Sequence, residues 1–356
     1  MEKTVNLLDL SPEGIASFLV SIGEKPVFTG KIIRHLFECR NTIIDEPSYL
    51  PESLKHKLRQ ISGHAALEVL EESKSVDGKN IKTLFGLDDG NTIESTAMEF
   101  GGSAGKIRRT VCVSSQVGCM IGCPYCATGM NGFHRNLSPG EMIEQVLYYR
   151  GETGRVGRNS LTNVVFMGMG EPLLNYDNVV TAVSLLNSHH GMGFGARQIT
   201  ISTSGIVPGI LRLAREDLYC QLAVSIQSAT DELRNLLVPV NRKYPLAHLI
   251  EACREYSELT RRKVFIEYVL FEGVNDSIQD AEGLAKLLEP LDCSINLIIV
   301  NNSGIGTFRP TSYDTVVAFQ RLLVSKGFRT MLRLSRGTDI EAGCGQLRNR
   351  RLRITN

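Results

Sequence analysis

The stretch Val111-Cys-Val-Ser-Ser-Gln-Val-Gly-Cys119-Met-Ile-Gly-Cys123-Pro-Tyr-Cys126 joins a β-branched run directly to three closely spaced cysteines. An apolar run without strict alternation describes a strand buried on both faces, as parallel sheets require. The same pattern recurs downstream. Strands are expected at 111–117, 161–167, 198–203, 221–226, 264–271 and 294–300. Helical periodicity fills the intervals, at 138–150, 177–187, 207–215, 246–259, 278–288 and 313–325. Ser138-Pro-Gly-Glu141 is a capping box with proline at the first helical position, which marks a helix start. Six strand–helix units predict a parallel α/β sheet, curled or flat.

Upstream of this core the pattern changes twice. Residues 1–62 read as a small helical unit, opened by Ser11-Pro12-Glu13 and carried by Ile15, Phe18, Leu19 and Ile22 at helical spacing. Two further amphipathic stretches lie at 31–37 and 52–61. Residues 63–109 form a β-rich connecting extension, with strands at 81–87 and 92–100 around the turn Asp88-Asp-Gly-Asn91. The core then spans 110–340, and 341–356 is a C-terminal loop with a basic tail. That tail holds Arg348, Arg350, Arg351 and Arg353.

Composition removes several classes of answer. Hydrophobic residues make up 42% and charged residues 22% of the 356, as in ordinary globular proteins. No apolar run is long enough for a membrane helix. The opening Met1-Glu-Lys-Thr-Val-Asn has no charged-then-apolar leader, so a cytoplasmic location is expected. Nine scattered and clustered cysteines do not make a disulfide framework. The net charge of +1 gives no global attraction to nucleic acid, so any basic surface must be local. Lys106-Ile-Arg-Arg109, Arg261-Arg-Lys263 and the tail are the candidates.

Cys119, Cys123 and Cys126 place three thiolates within eight residues. Zinc would need a fourth nearby Cys or His, and only His134 lies close. An iron–sulfur cluster held by three cysteines leaves one iron open to another ligand. Zinc and plain packing remain the alternatives to that reading.

With an aromatic before its third cysteine, the Cys-x3-Cys-x2-Cys spacing resembles the radical-SAM superfamily. The resemblance implies a (β/α)6 partial barrel, a [4Fe-4S] cluster on Cys119, Cys123 and Cys126, and S-adenosyl-L-methionine bound at the open iron. Flanking motifs narrow the match. Cys112-Val-Ser-Ser-Gln-Val-Gly-Cys119, Met167-Gly-Met-Gly-Glu-Pro-Leu-Leu-Asn175, Ser202-Thr-Ser-Gly205 and Asp339-Ile-Glu-Ala-Gly-Cys344-Gly-Gln-Leu347 are similar to the RlmN/Cfr family of RNA adenine methyltransferases. Asn6-Leu-Leu-Asp-Leu10 and Gly23-Glu-Lys-Pro26 resemble its RlmN branch.

For catalysis, the resemblance implies roles for three residues. Cys344 would carry a methyl group as S-methylcysteine, and Cys112 would take a proton and release product by forming a disulfide with Cys344. Glu94 would match a proton acceptor. Cofactor contacts would come from Gly170, Glu171, Ser202, Ser225, Ile226, Gln227 and Asn301. The implied substrate is carbon 2 of an adenine in 23S ribosomal RNA, with tRNA as a second candidate and carbon 8 as the rival position. A low-potential donor such as flavodoxin or ferredoxin would supply electrons, and a monomer is expected.

The residues alone keep bland readings beside these. A cysteine on a strand, such as Cys112, is by default a small buried hydrophobe. Cys344 lies between two glycines, which favours a loop and therefore chemistry. Glu94 also reads as an ordinary surface strand residue. Cys39, Cys220, Cys253 and Cys293 have no motif and read as inert. Two features depart from the family pattern. Gln227 replaces a usual histidine, and Val300-Asn-Asn-Ser-Gly-Ile305 lacks the usual Trp and Pro. Glutamine hydrogen-bonds but carries no charge near neutral pH. Cofactor binding is expected to survive both changes, while the loop after the sixth strand bears on target choice, with a divergent paralogue acting on another RNA as the alternative. A zinc-bound RNA-binding protein without catalysis is the competing class.

Overall fold

A computed structural model describes residues 5–38, 50–63, 67–101, 107–150, 161–299, 308–333 and 337–341. The chain begins with β1 (Val5–Asn6), followed by the helices α1 (Pro12–Ser21), α2 (Thr29–Glu38) and α3 (Glu52–Ile61). The Ser11 side chain caps α1 by accepting from the Gly14 N–H at 3.0 Å. The short β2 (Ser62–Gly63) pairs in parallel with β1, closing this unit on itself. Leu7 and Leu8 are buried, and the Asp9 carboxylate accepts from the Gly140 N–H at 2.8 Å. The sequence Asn6-Leu-Leu-Asp-Leu10 is thus a docking segment that fixes the helical unit to the core.

Three antiparallel strands follow, β3 (Glu68–Lys74), β4 (Asn80–Gly86) and β5 (Thr92–Gly101). They continue without a break into β6 (Ile107–Cys112), which starts the parallel part. Next come β7 (Gln116–Gly118), α4 (Ala127–Met130), β8 (Phe133–Asn136) and α5 (Pro139–Arg150). Strand and helix then alternate: β9 (Asn163–Phe166), α6 (Tyr176–Asn187), β10 (Ile199–Thr203), α7 (Val207–Leu213), β11 (Gln221–Ser225), α8 (Asp231–Leu237), α9 (Leu246–Thr260), β12 (Val264–Leu270), α10 (Ile278–Leu288), β13 (Cys293–Ile299), α11 (Tyr313–Ser325) and β14 (Arg329–Arg333).

All these strands except the two short pairs belong to one sheet, ordered β14-β13-β12-β11-β10-β9-β6-β5-β4-β3. The six expected strand–helix units are present, in an α/β fold with a mostly parallel sheet. A seventh parallel strand, β14, follows the last helix and was not anticipated. Its ends are Arg329 and Arg333, both exposed, and an edge strand with charged ends carries little apolar signal.

The first core strand stops at Cys112, not at residue 117 as its apolar run predicts. Ser114 leaves the ladder because a helix side chain substitutes for a neighbouring strand. The Ser114 N–H donates to Gln145 Oε1 at 2.8 Å, and Gln145 Nε2 donates back to the Ser114 carbonyl at 3.0 Å. Freed from the sheet, residues 116–118 form β7 and pair antiparallel with β8.

Register carries one face across the sheet. Lys82 pairs with Thr96, Thr96 with Cys112, Cys112 with Val165, and Val165 with Thr200. Further along, Ser202 pairs with Ala223, Ser225 with Glu267, and Glu267 with Asn296. Side chains two residues apart share a face, so Glu94, Cys112, Ser202, Ser225, Glu267 and Asn296 all stand on the same side. Sequence positions up to two hundred residues apart are gathered there.

Candidate functional site

A cavity of about 190 Å³ opens at the C-terminal ends of the parallel strands. Cys119, Cys123 and Cys126 border it, together with Gly168, Gly170, Glu171, Ser202, Ser225, Gln227 and Glu267. Barrel-type folds place their chemistry at this end, where loops from several strands converge.

The cysteine loop is closed at its base by the β7–β8 ribbon. The Cys119 N–H donates to the Gly132 carbonyl at 2.8 Å, and the Cys126 N–H to the Cys123 carbonyl at 3.1 Å. Gly118 makes this closure sterically feasible. Its φ is +77°, and a Cβ there would stand 2.0 Å from the Gly132 carbonyl oxygen. Burial pushes the Cys119 thiol up to about 12 and raises Cys123 as well. Among the described residues, no three His, Cys, Asp or Glu side chains converge tightly enough for a single metal ion. Three thiols border one cavity, and cysteine thiolates are the usual ligands of a cluster with several irons. The residues present therefore fit the group.

Gly168 and Gly170 serve the protein before they serve any ligand. A Cβ on Gly168 would lie 2.7 Å from the Ser114 nitrogen, and one on Gly170 2.8 Å from the Gln116 nitrogen. Both glycines therefore make room for neighbouring backbone. They admit the Val113-Ser-Ser-Gln116 segment, although both still border the cavity. Glu171 is buried, and its carboxylate organises two loops. Oε1 accepts from the Leu173 N–H at 3.1 Å, and Oε2 accepts from the Ser204 N–H and hydroxyl at 2.7 Å each. Burial raises the Glu171 carboxyl, while the Ser204 donors favour its charged form.

Ser202 and Ser225 lie at the ends of β10 and β11 and border the cavity. Gln227 also borders it, with a left-handed φ of 63°. Its Oε1 accepts from the Val269 N–H at 2.6 Å, and its own carbonyl accepts from Asn275 Nδ2 at 2.8 Å. A non-glycine residue held in that conformation costs energy and persists only where its surroundings fix it. Ile226 stands behind the cavity wall. Its side chain is fully buried in the apolar core and does not border the cavity.

Cys112 is buried at the end of β6, and its carbonyl accepts from Ser95 Oγ at 2.7 Å. Glu94 is buried on the same face, with its carboxylate 3.3 Å from Lys82 Nζ. The bland reading of Glu94 as a surface residue is therefore corrected, since β5 lies inside a continuous sheet. Neither Cys112 nor Glu94 borders the cavity itself. Cys344, Asn301, Cys39 and the basic tail lie outside the described residues. Cys220, Cys253 and Cys293 are buried in the core, where burial pushes each thiol up to about 12, in keeping with inert packing.

Three residues at the site escaped the sequence reading. Glu267 borders the cavity and accepts from Asn296 Nδ2 at 2.7 Å, and burial raises its carboxyl. The Arg234 side chain is fully buried behind the strand ends. A glutamate in an apolar strand breaks the hydrophobic run and is the one signal that could have found Glu267. Arg234 and Asn296 carry no such mark.

A family model, the Radical SAM superfamily, matches residues 113–288. A probable dual-specificity RNA methyltransferase RlmN from Moorella thermoacetica is 43% identical over 349 residues, covering 98% of both chains. The dual-specificity RNA methyltransferase RlmN of Syntrophus aciditrophicus is 40% identical, covering 98% of this chain and 97% of its own. A solved radical SAM methyltransferase from Sphaerobacter thermophilus matches with a TM-score of 0.88 at 43% identity, over 97% of this chain and 99% of that one. The chain therefore belongs to the RlmN family of dual-specificity RNA methyltransferases, within the radical SAM superfamily.

Proposed function

We propose that this protein methylates carbon 2 of an adenine in 23S ribosomal RNA and in tRNA, with the methyl carbon delivered from S-methylcysteine at Cys344. The observation that carries the reading is the cavity shared by Cys119, Cys123, Cys126 and the strand-end residues, in a chain of this family. Adenine carbon 2 is electron-poor and offers no nucleophile to an ordinary methyl donor, so a radical route suits it. When bound, a [4Fe-4S] cluster and S-adenosyl-L-methionine supply the one-electron chemistry that generates a hydrogen-abstracting radical.

The chain's own residues have separable tasks. Cys119, Cys123 and Cys126 hold the cluster. Gly170, Glu171, Ser202, Ser225, Gln227 and Asn301 bind and orient the cofactor, with Ile226 packed behind them. Cys344 carries the methyl group, and Cys112 accepts the proton from the modified carbon and then pairs with Cys344 to free the product. Glu94 serves as an alternative proton acceptor from the same sheet face. Residues 1–62 grip folded RNA, which must release its adenine from the stack to reach a buried site. A flavodoxin- or ferredoxin-type donor supplies electrons to a monomer in the cytoplasm.

Anaerobic purification with iron, sulfide and zinc analysis, combined with mass spectrometry of the Cys344 peptide, tests this reading. A brown iron–sulfur protein with one added methyl on Cys344 is expected. A colourless zinc protein ends the radical reading, and an unmethylated Cys344 removes the two-cysteine route.

A further inference from the structure

Arg234, on α8, has a fully buried side chain, and its hydrogen bonds go to neutral oxygens. Nε donates to the Ile226 carbonyl at 2.9 Å, and Nη1 to Asn241 Oδ1 at 2.7 Å. Nη2 donates to the carbonyls of Ser204 at 2.7 Å and Ser225 at 3.0 Å. One planar guanidinium therefore bridges the ends of β10 and β11, which present Ser202 and Ser225 to the cavity. Ser204 is held from its other side by Glu171. The chain Glu171–Ser204–Arg234–Ser225 links two candidate cofactor contacts, Glu171 and Ser225, through one buried cation.

A buried charge without a hydrogen-bonded carboxylate is costly, and an apolar side chain of similar volume would generally pack there at less expense. Burial pushes the Arg234 guanidinium down to about 10, which still leaves it charged near neutral pH. Tyr125, Cys123, Asp231 and Cys253 lie within its electrostatic reach, with Asp231 the one carboxylate among them. A fixed cation beside the cluster ligands favours whichever cluster state carries more negative charge.

We propose, building on the radical-SAM reading above, that Arg234 is a positioning residue with two effects. Its planar fork locks the two strand ends in one register around the cofactor, and its charge makes the bound cluster easier to reduce. Lysine retains the charge but cannot span three carbonyls from one rigid plane.

The test uses the anaerobically reconstituted full chain, with a redox titration of the cluster and equilibrium binding of S-adenosyl-L-methionine. In Arg234→Gln the midpoint potential is expected to fall and cofactor affinity to drop by about 10–100-fold, the usual effect of losing an outer-shell partner. In Arg234→Lys the potential should stay near wild type while affinity still drops. Arg234→Met preserves volume and serves as a second neutral variant if glutamine prevents folding. A wild-type potential in a cluster-loaded neutral variant overturns the electrostatic half, and wild-type affinity in Arg234→Lys overturns the positioning half. A wild-type chain that holds no iron or sulfide sinks the underlying reading instead, independently of Arg234.

Discussion

The Glu171 carboxylate accepts two hydrogen bonds from Ser204, one from its N–H and one from its hydroxyl, each at 2.7 Å. The same carboxylate accepts from the Leu173 N–H at 3.1 Å, so the loop after β9 and the end of β10 share one anchor. Glu171→Gln would point an amide N–H₂ at one of these donors. A lost hydrogen bond of this buried, charge-assisted kind costs about 1.5–3 kcal/mol. Chemical denaturation of the apoprotein should show that loss, and titration with S-adenosyl-L-methionine should show weaker binding. Unchanged stability would mean that the two loops are joined in some other way.

Gly118 offers a prediction about the cysteine loop. Alanine there meets a left-handed φ of +77° and a Cβ position 2.0 Å from the Gly132 oxygen. The backbone conformation alone costs about 1–3 kcal/mol for a non-glycine residue. Gly118→Ala should lower both the stability of the β7–β8 ribbon and the iron bound per chain. Full iron content in a stable Gly118→Ala protein would contradict the loop geometry.

The buried thiols set a pH dependence. Burial shifts Cys119 from an ordinary 9.0 up to about 12, so the folded apoprotein favours the neutral thiol. A folded pKa raised in this way adds stability below the ordinary value, and that stability is lost as pH rises from about 9 towards 12. Iron binding needs thiolates and must expel these protons, so iron affinity should rise with pH while apoprotein stability falls. Chelator competition at about pH 7 and about pH 9 checks the first trend, since ligand deprotonation governs it. An affinity independent of pH would mean that the cysteines are already ionised.

Gln227 joins the cofactor wall to β12 through the Val269 N–H. Gln227→Ala would strand that donor, at a cost of about 1–3 kcal/mol for a buried unsatisfied group. Both thermal stability and cofactor binding should fall. A variant with normal binding would show that the side chain braces the wall without touching the ligand.

Much of this was legible in advance, for reasons that differ by element. Tyr313–Ser325 and Ile278–Leu288 begin after capping serines and carry long apolar stripes, so the helix bounds agree with their periodicity. The apolar run predicts too long a first core strand, because Val113 and Val117 continue it while Gln145, 31 residues after Ser114, draws that serine out of the ladder. The three cysteines and Glu171 carry local motifs and could be placed at the site. Arg234 could not, because its importance comes from carbonyls at 204, 225 and 226 that only the folded strands bring together. Gln227 read as a departure at one position, yet its left-handed backbone and its bond to Val269 are tertiary facts.

The central claim is that the three-cysteine cavity supports radical methylation of an RNA adenine. Mass spectrometry of 23S ribosomal RNA and tRNA nucleosides tests it, from cells with the protein, without it, and with Cys119→Ala. An adenosine methylated at carbon 2 is expected only where the intact protein is present. A methyl group at carbon 8 would redirect the specificity, and identical unmodified adenines in all three would contradict the account.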